Sequence, residues 1–145
     1  MALYVAESTL KGAGKGLFTD ANIKRGERII EYTGDVITWK ECERRNNEIK
    51  DGVGAYYFYI SEKKCIDAQH HLDSLARYCN DANGFTKISG LKNNARFEII
   101  RGRVYIISSR NFNPGDEIFV AYGKEYWQAL AEQGFGPKNF GKKKK

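Results

Sequence analysis

The residue best placed to do chemistry is Tyr122. It closes the stretch Asn113 to Gly123, which reads Asn-Pro-Gly-Asp-Glu-Ile-Phe-Val-Ala-Tyr-Gly. Pro114 presets a turn and Gly115 supplies its permissive backbone. Glu117 to Ala121 then reads as a short buried strand that leaves Tyr122 at its mouth. A phenol hydroxyl there can orient a neighbouring group, although a lone tyrosine at a strand end is more often an ordinary half-buried ring. Two other polar segments add weight: Arg77-Tyr78-Cys79-Asn80-Asp81-Ala82-Asn83 and, after a loop punctuated by Gly and Ser, Asn94-Ala95-Arg96-Phe97. A third chemical feature is the loop Lys11 to Gly16, with glycines at 12, 14 and 16, which lets main-chain groups approach a ligand closely. It is not a phosphate loop, because no Ser or Thr follows Gly14-Lys15 and no long helical pattern begins there. Cys42, Cys65 and Cys79 lie 23 and 14 residues apart, which fits neither a zinc site nor an even disulfide framework. They are expected to be reduced thiols, two of them in core strands. His70 and His71 have no metal-ligand spacing and read as surface turn residues.

Together these segments resemble the SET domain, whose two C-terminal signatures are Arg-Phe-x-Asn-His-Ser-Cys-x-Pro-Asn and Gly-Glu-Glu-Leu-Thr-x-x-Tyr. The Asn80 and Tyr122 segments are their counterparts. Further agreement comes from Gly14-Lys15-Gly16-Leu17-Phe18, from Glu31-Tyr32-Thr33-Gly34-Asp35-Val36-Ile37, and from Tyr56-Tyr57-Phe58-Tyr59 followed by Cys65-Ile66-Asp67-Ala68. Five blocks fall in the family's order over roughly residues 4 to 127. The resemblance implies a mostly β fold of several small sheets with few short helices and a knot-like C-terminal crossing of the Asn80 and Tyr122 segments. It also implies transfer of a methyl group from S-adenosylmethionine to the side-chain nitrogen of a protein lysine, with S-adenosylhomocysteine as product and no metal ion.

By that resemblance Tyr122 is the catalytic tyrosine, and Tyr32 helps to hold the substrate nitrogen. Gly14, Lys15, Gly16, Tyr56, Asn80, Asp81 and Trp127 are expected at the cofactor, and Tyr57, Tyr59 and Val120 along the lysine channel. The reaction needs a neutral amine, because an ammonium has no free lone pair. Lysine's ordinary pKa is about 10.4, so near-complete neutralisation at pH 7 needs a shift of about 3 units, or about 4 kcal/mol. A narrow apolar channel and the like charge of the sulfonium both act in that direction. At Val120 the family often has an aromatic residue, whose hydroxyl, when it is tyrosine, fixes a water in the space of a second methyl group. Valine has no hydroxyl, which leads to an expected di- or trimethyl product.

The chain departs from the family at Asp81-Ala82, which replaces the usual His-Ser, and at Asn83, which stands where cysteine is frequent. A long insertion then precedes Asn94, and the cysteine clusters that bind zinc beside many SET domains are missing, as in a minimal, stand-alone domain. Asp81-Ala82 motivates an alternative, a catalytically silent SET-like module that binds a lysine-bearing peptide or a partner. A third reading, a small β nucleic-acid binder, rests only on the lysine-rich end and the aromatic residues.

The elements that must position these residues follow from periodicity and punctuation. Strands are expected at Leu3 to Ala6, around Leu17 and Phe18, at Arg28 to Tyr32 and at Val36 to Thr38. Thr38 with Glu41 matches a capping box, so Trp39 to Lys50 is expected to be a surface helix with Trp39, Cys42 and Ile49 facing the core. Ala55 to Ile60 pairs with Lys64 to Asp67. In that strand Tyr57 and Tyr59 share one face and Tyr56 and Phe58 the other. Leu72 to Tyr78 is short and helical or irregular. Phe97 to Ile100 and Arg103 to Ser108 form a hairpin across Arg101-Gly102, and Tyr126 to Gln133 is expected to be a final amphipathic helix.

At 145 residues the sequence is expected to be one domain over residues 1–135, with a flexible lysine-rich tail over 136–145. The net charge is +6, but Lys138 and Lys142 to Lys145 hold five positive charges, leaving 19 basic against 18 acidic residues elsewhere. A nearly neutral body with a basic tail argues against a nucleic-acid-reading face and leaves only weak contact through the tail. No signal peptide or membrane-length apolar run is seen, so an intracellular location is expected, in the cytoplasm or on chromatin. The expected partner is a lysine-bearing protein or peptide, with histones as candidates. Monomer and homodimer both stay open.

Overall fold

The computed structural model describes residues 2–48, 56–84 and 87–123. Its strands form three small antiparallel sheets of three strands each. In the first, β1 (Leu3–Glu7) pairs with β2 (Lys15–Thr19), and β9 (Glu117–Ile118) adds to the other edge of β2. In the second, β3 (Arg28–Glu31), β8 (Arg103–Ser108) and β7 (Ala95–Ile100) lie in that order. In the third, β6 (Lys64–Asp67) lies between β4 (Asp35–Ile37) and β5 (Tyr57–Ser61). One helix, α1 (Trp39–Asn47), and a 3-10 turn at Leu75–Tyr78 complete the described elements.

Local chemistry explains most boundaries. The β7–β8 hairpin turns on Arg101 and Gly102 with φ of 50° and 77°. Positive φ at both loop residues is the twist-matched two-residue geometry, and Arg101 is the only non-glycine residue with positive φ among those described. At the other end of the chain, Gly115 has φ of 92° and the Asp116 N–H donates to the Asn113 carbonyl, as a Pro-Gly turn requires. Helix α1 begins where expected, and the Glu41 N–H donates to Thr38 Oγ1 at 3.2 Å. The Glu41 carboxylate does not return the bond of a full capping box, because it is taken by Arg44 and Arg45 at 2.7–2.9 Å.

The core gathers Leu17, Ile23, Val104, Ile106, Phe112 and Ile118, drawn from two of the sheets and the loops between them. All three cysteines are buried free thiols, as expected, but only Cys65 is in a strand. Cys42 faces inward from α1, because its position on the helix puts it against β6, and Cys79 follows the 3-10 turn. His71 does more than fill a turn, since its Nε2 meets Asp35 Oδ1 at 2.8 Å.

The knot-like crossing is present. Residues 117–120 run between the Asn80 and Asn94-Ala95 segments, with parallel bridges Asn80 to Phe119 and Ala95 to Val120. The Val120 N–H donates to the Asn80 carbonyl at 2.8 Å, while the N–H groups of Asn94 and Ala95 both donate to the Phe119 carbonyl. Asn94 clamps the same strand with its buried side chain, donating to the Glu117 carbonyl and accepting from the Phe119 N–H.

Candidate active site

The crossing delivers Tyr122 to a fixed place. Its hydroxyl donates to the Cys79 carbonyl at 2.5 Å, and its N–H donates to Asp81 Oδ2 at 2.9 Å. Its ring packs on the core cluster that contains Tyr32, Cys79 and Val120. With its hydroxyl proton directed at a carbonyl, the phenol oxygen can meet a further polar group only as an acceptor.

Asn80 joins this segment to the glycine loop, its Nδ2 donating to the Lys15 carbonyl at 2.9 Å. The loop is held from beneath by Glu117, a buried carboxylate that accepts from Ser8 Oγ at 2.6 Å and from the N–H and hydroxyl of Thr9 at 2.8 and 2.6 Å. A Cβ on Gly16 would overlap that carboxylate and come within 3.2 Å of Ser8 Cβ, so any larger residue there must displace Glu117. Gly14 has φ of 76°, and among the described residues nothing lies within 4 Å of where a Cβ would stand.

On the other side, Tyr32 is buried against Phe58 and Phe97, with ring centroids 6.2 and 6.0 Å away, and those two phenylalanines meet at 4.8 Å. The strand alternation of β5 therefore turns Phe58 toward Tyr32 and sends Tyr57 and Tyr59 to the opposite face, where both pack on Trp39 of α1 at 5.7 and 5.1 Å. Burial there pushes the Tyr57 phenol pKa up. Tyr56 precedes β5 and stacks on the Arg77 guanidinium, 3.8 Å from the ring centroid.

Of the residues expected from the sequence, Gly14, Lys15, Gly16, Asn80, Asp81 and Tyr122 are linked by direct hydrogen bonds or chain adjacency. Tyr32, Tyr56 and Val120 share one apolar cluster with Tyr122. Tyr57 and Tyr59 are not brought to it. Val120 is fully buried in the cluster. Both carboxylate oxygens of Asp81, expected at the cofactor, receive protein donors: Tyr122 N–H at Oδ2, and Asn83 N–H and Asn93 Nδ2 at Oδ1. Trp127, the helix Tyr126 to Gln133 and the tail lie outside the described residues.

Three contributors went unassigned in the sequence. Arg77 is buried, donates to the carbonyls of Ala68 and Gln69 and to Tyr78 Oη, and fixes the turn behind Tyr56. Glu117 and Asn93 support the glycine loop and Asp81. Arg77 and Glu117 lie inside the two signature segments, so their positions were a signal even though their contacts were not. Cys79 is sealed off, its Sγ against the Ile118 carbonyl at 3.1 Å, and burial holds its thiol pKa well up, with the charges of Glu117 and Asp81 adding to the effect. Among the described residues no group of three or more His, Cys, Asp or Glu side chains is placed to hold a metal ion, and no helix is long and apolar enough to cross a membrane.

This arrangement has close parallels. The SET domain family model matches residues 14–123. The chain is 30% identical over 122 residues to the N-lysine methyltransferase KMT5A of Xenopus tropicalis, covering 79% of this chain and 34% of that protein. It is 28% identical over 127 residues to the histone-lysine N-methyltransferase Set8 of Drosophila melanogaster, covering 82% and 17%. Among solved structures, the Chaetomium thermophilum polycomb repressive complex 2 superposes with a TM-score of 0.68 at 28% identity over 84% of this chain and 15% of that one. The same complex in an autoinhibited conformation bound to S-adenosylmethionine gives 0.68 at 25% identity over 92% and 17%. The chain thus spans about a third or less of the length of these relatives. By its matched sequence, its sheets and its C-terminal crossing, the chain belongs to the SET domain family.

Proposed function

We propose that this protein is an S-adenosylmethionine-dependent protein-lysine N-methyltransferase. The observation that carries this reading is the hydroxyl of Tyr122, held on the Cys79 carbonyl in the same crossing that ties Asn80 to the glycine loop. The bare backbone at Gly14 and the closed space at Gly16 suit the close approach of a ligand's amino-acid end, so Gly14, Lys15, Gly16 and Asn80 would hold the cofactor, with Tyr56 beside them. When bound, S-adenosylmethionine supplies an electrophilic methyl group on a sulfonium.

The chain's own residues then have two tasks. The Tyr32, Phe58 and Phe97 rings surround the site with apolar surface, which disfavours the lysine ammonium and lets its proton leave to water. The Tyr122 hydroxyl keeps its proton directed at the Cys79 carbonyl, and its oxygen accepts an N–H of the neutral amine and aims the nitrogen lone pair. Tyr32 lines the same space. The channel face of β5 in this reading is that of Phe58, in place of Tyr57 and Tyr59. Val120 provides no hydroxyl to fix a water, which supports addition of two or three methyl groups.

The names of the relatives favour a histone or another lysine-bearing protein as substrate, with chromatin as the place of action. The silent-module reading was motivated by Asp81-Ala82. The bond of the Asp81 carboxylate to Tyr122 gives that substitution a place beside the reacting residue, and the methyltransferase names of the relatives favour the enzyme reading over the silent one.

The test combines calorimetry with S-adenosylmethionine and mass spectrometry of histones incubated with enzyme and cofactor. Tyr122→Phe is expected to lower transfer at least ~100-fold, about 3 kcal/mol, with cofactor affinity within about threefold of the parent. Products carrying two or three methyl groups are expected under excess cofactor. Full activity in Tyr122→Phe, or no cofactor binding by the parent at millimolar concentration, would overturn the reading.

A further inference from the structure

Among the described residues, the short segment 79–81 holds Tyr122 by two hydrogen bonds. The Cys79 carbonyl takes its hydroxyl and Asp81 Oδ2 takes its N–H. The direction of the Asp81 carboxylate is therefore one of the constraints on where the Tyr122 backbone sits. That direction is fixed by the other oxygen, Oδ1, which accepts from Asn83 N–H at 2.8 Å and from Asn93 Nδ2 at 2.9 Å. Asn93 closes the arrangement by accepting from the Ala82 N–H at 2.8 Å through its own Oδ1. Asp81 is only 5% exposed, so water cannot readily replace a lost donor there. The two oxygens of a carboxylate are rigidly joined, and rotation that relieves one side misaligns the other.

We infer that Asn93 is a positioning residue that acts through Asp81 on Tyr122, so that the segment leading into β7 helps set the reacting hydroxyl without touching substrate. The inference rests on the catalytic reading of Tyr122. It also assigns Asp81 to Tyr122 in place of the cofactor contact expected from the sequence. The side chain needed at position 81 is one that accepts on two sides, which an aspartate does and an asparagine does on one side only.

The experiment is a double-mutant cycle on the full chain with Asn93→Ala, Asp81→Asn and the pair, reading kcat, KM and cofactor Kd at saturating peptide. Asn93→Ala is expected to lower kcat by about 3- to 10-fold and Asp81→Asn by more, with the pair no worse than Asp81→Asn alone, because coupled residues act as one unit. Cofactor Kd should stay within about twofold in each, since the relay ends on Tyr122 and not on the cofactor. Selective 15N-tyrosine labelling gives a second readout that needs only the parent and Asn93→Ala, in case Asp81→Asn fails to fold. The Tyr122 amide should shift and exchange faster in Asn93→Ala.

A purely structural role would lower the melting temperature of Asn93→Ala yet leave kcat and the Tyr122 amide unchanged at temperatures where the variant is folded. That outcome overturns the inference, as do multiplicative effects in the cycle or a loss confined to cofactor Kd. Tyr122→Phe is measured alongside. If it is fully active, the catalytic reading itself fails. If it is silent while Asn93→Ala keeps the parent rate and amide shift, only the relay fails.

Discussion

Gly16 shows how a single missing methyl group sets a site. Its Cα lies over the Glu117 carboxylate, whose oxygens are engaged by Ser8 and Thr9, so the chain at Gly16 and the turn at residues 8–14 are held against one anchor. The neighbour that a Cβ would strike is the end of a buried side chain that must give up hydrogen bonds to Ser8 or Thr9 in order to move. Gly16→Ala is therefore expected to cost about 1–3 kcal/mol of stability through overpacking. Displacing the loop backbone should also weaken S-adenosylmethionine binding by roughly tenfold, or about 1.4 kcal/mol. Urea denaturation and calorimetry on the same preparation measure the two effects. Parent-like values in both would show that the loop moves freely at that point.

At the scale of elements, α1 is fastened to its sheet by charge as well as by packing. Arg45 reaches Asp35 of β4 at 2.8 Å, Asp67 of β6 at 3.1 Å and Glu41 of its own helix at 2.9 Å, while Trp39 packs on the outer tyrosines of β5. Hydrogen bonds from Arg44 and then Arg45 pull the Glu41 carboxyl down to about 2, and those from Arg45 and His71 lower that of Asp35. Folding therefore keeps these carboxyls ionised at a pH where the unfolded chain has begun to take up protons. Their contribution is complete above the unfolded pKa and is lost as pH falls through the folded one. Arg45→Met should lower the melting temperature at pH 7, because the buried Asp67 loses its cation. The gap to the parent should hold down to about pH 4.5 and close toward pH 2, the window set by Glu41. Melting curves across that range test it, and a gap that widens on acidification would contradict the assignment.

For the whole molecule the decisive event is the closing of the crossing. Residues 117–120 must settle between segments 80 and 94–95, contacts that join parts of the chain far apart in sequence and carry a large loop-closure cost. Asn94 is the clamp, and its removal leaves a buried carbonyl at Glu117 and a buried N–H at Phe119 each without that partner. Asn94→Ala is expected to destabilise by about 2–4 kcal/mol, at about 1–3 kcal/mol per group. Contacts this far apart in sequence are expected to form late in folding, so the loss should fall on unfolding, with refolding rate nearly unchanged. Stopped-flow chevrons decide this, and slowed refolding would place the crossing early.

Much of this was legible in the order of residues. Local physics is written locally: the Arg101-Gly102 hairpin, the Pro114-Gly115 turn, the Thr38 cap and the alternation of Tyr56 to Tyr59 all follow from backbone preferences and a period of two. The signature segments at Asn80 and Tyr122 were readable too, because their residue types are unusual together. What the sequence left open was which face of an alternating strand meets the site. Phe58 turns to Tyr32 and Tyr57 to Trp39 because α1 covers one side of the sheet, a fact of three-dimensional packing. Likewise the role of Asp81 depends on Tyr122 and Asn93, which reach it across 41 and 12 residues. Side-chain hydrogen bonds act over about 3 Å, and only the threading of 117–120 through the Asn80 and Asn94 segments brings those donors within range.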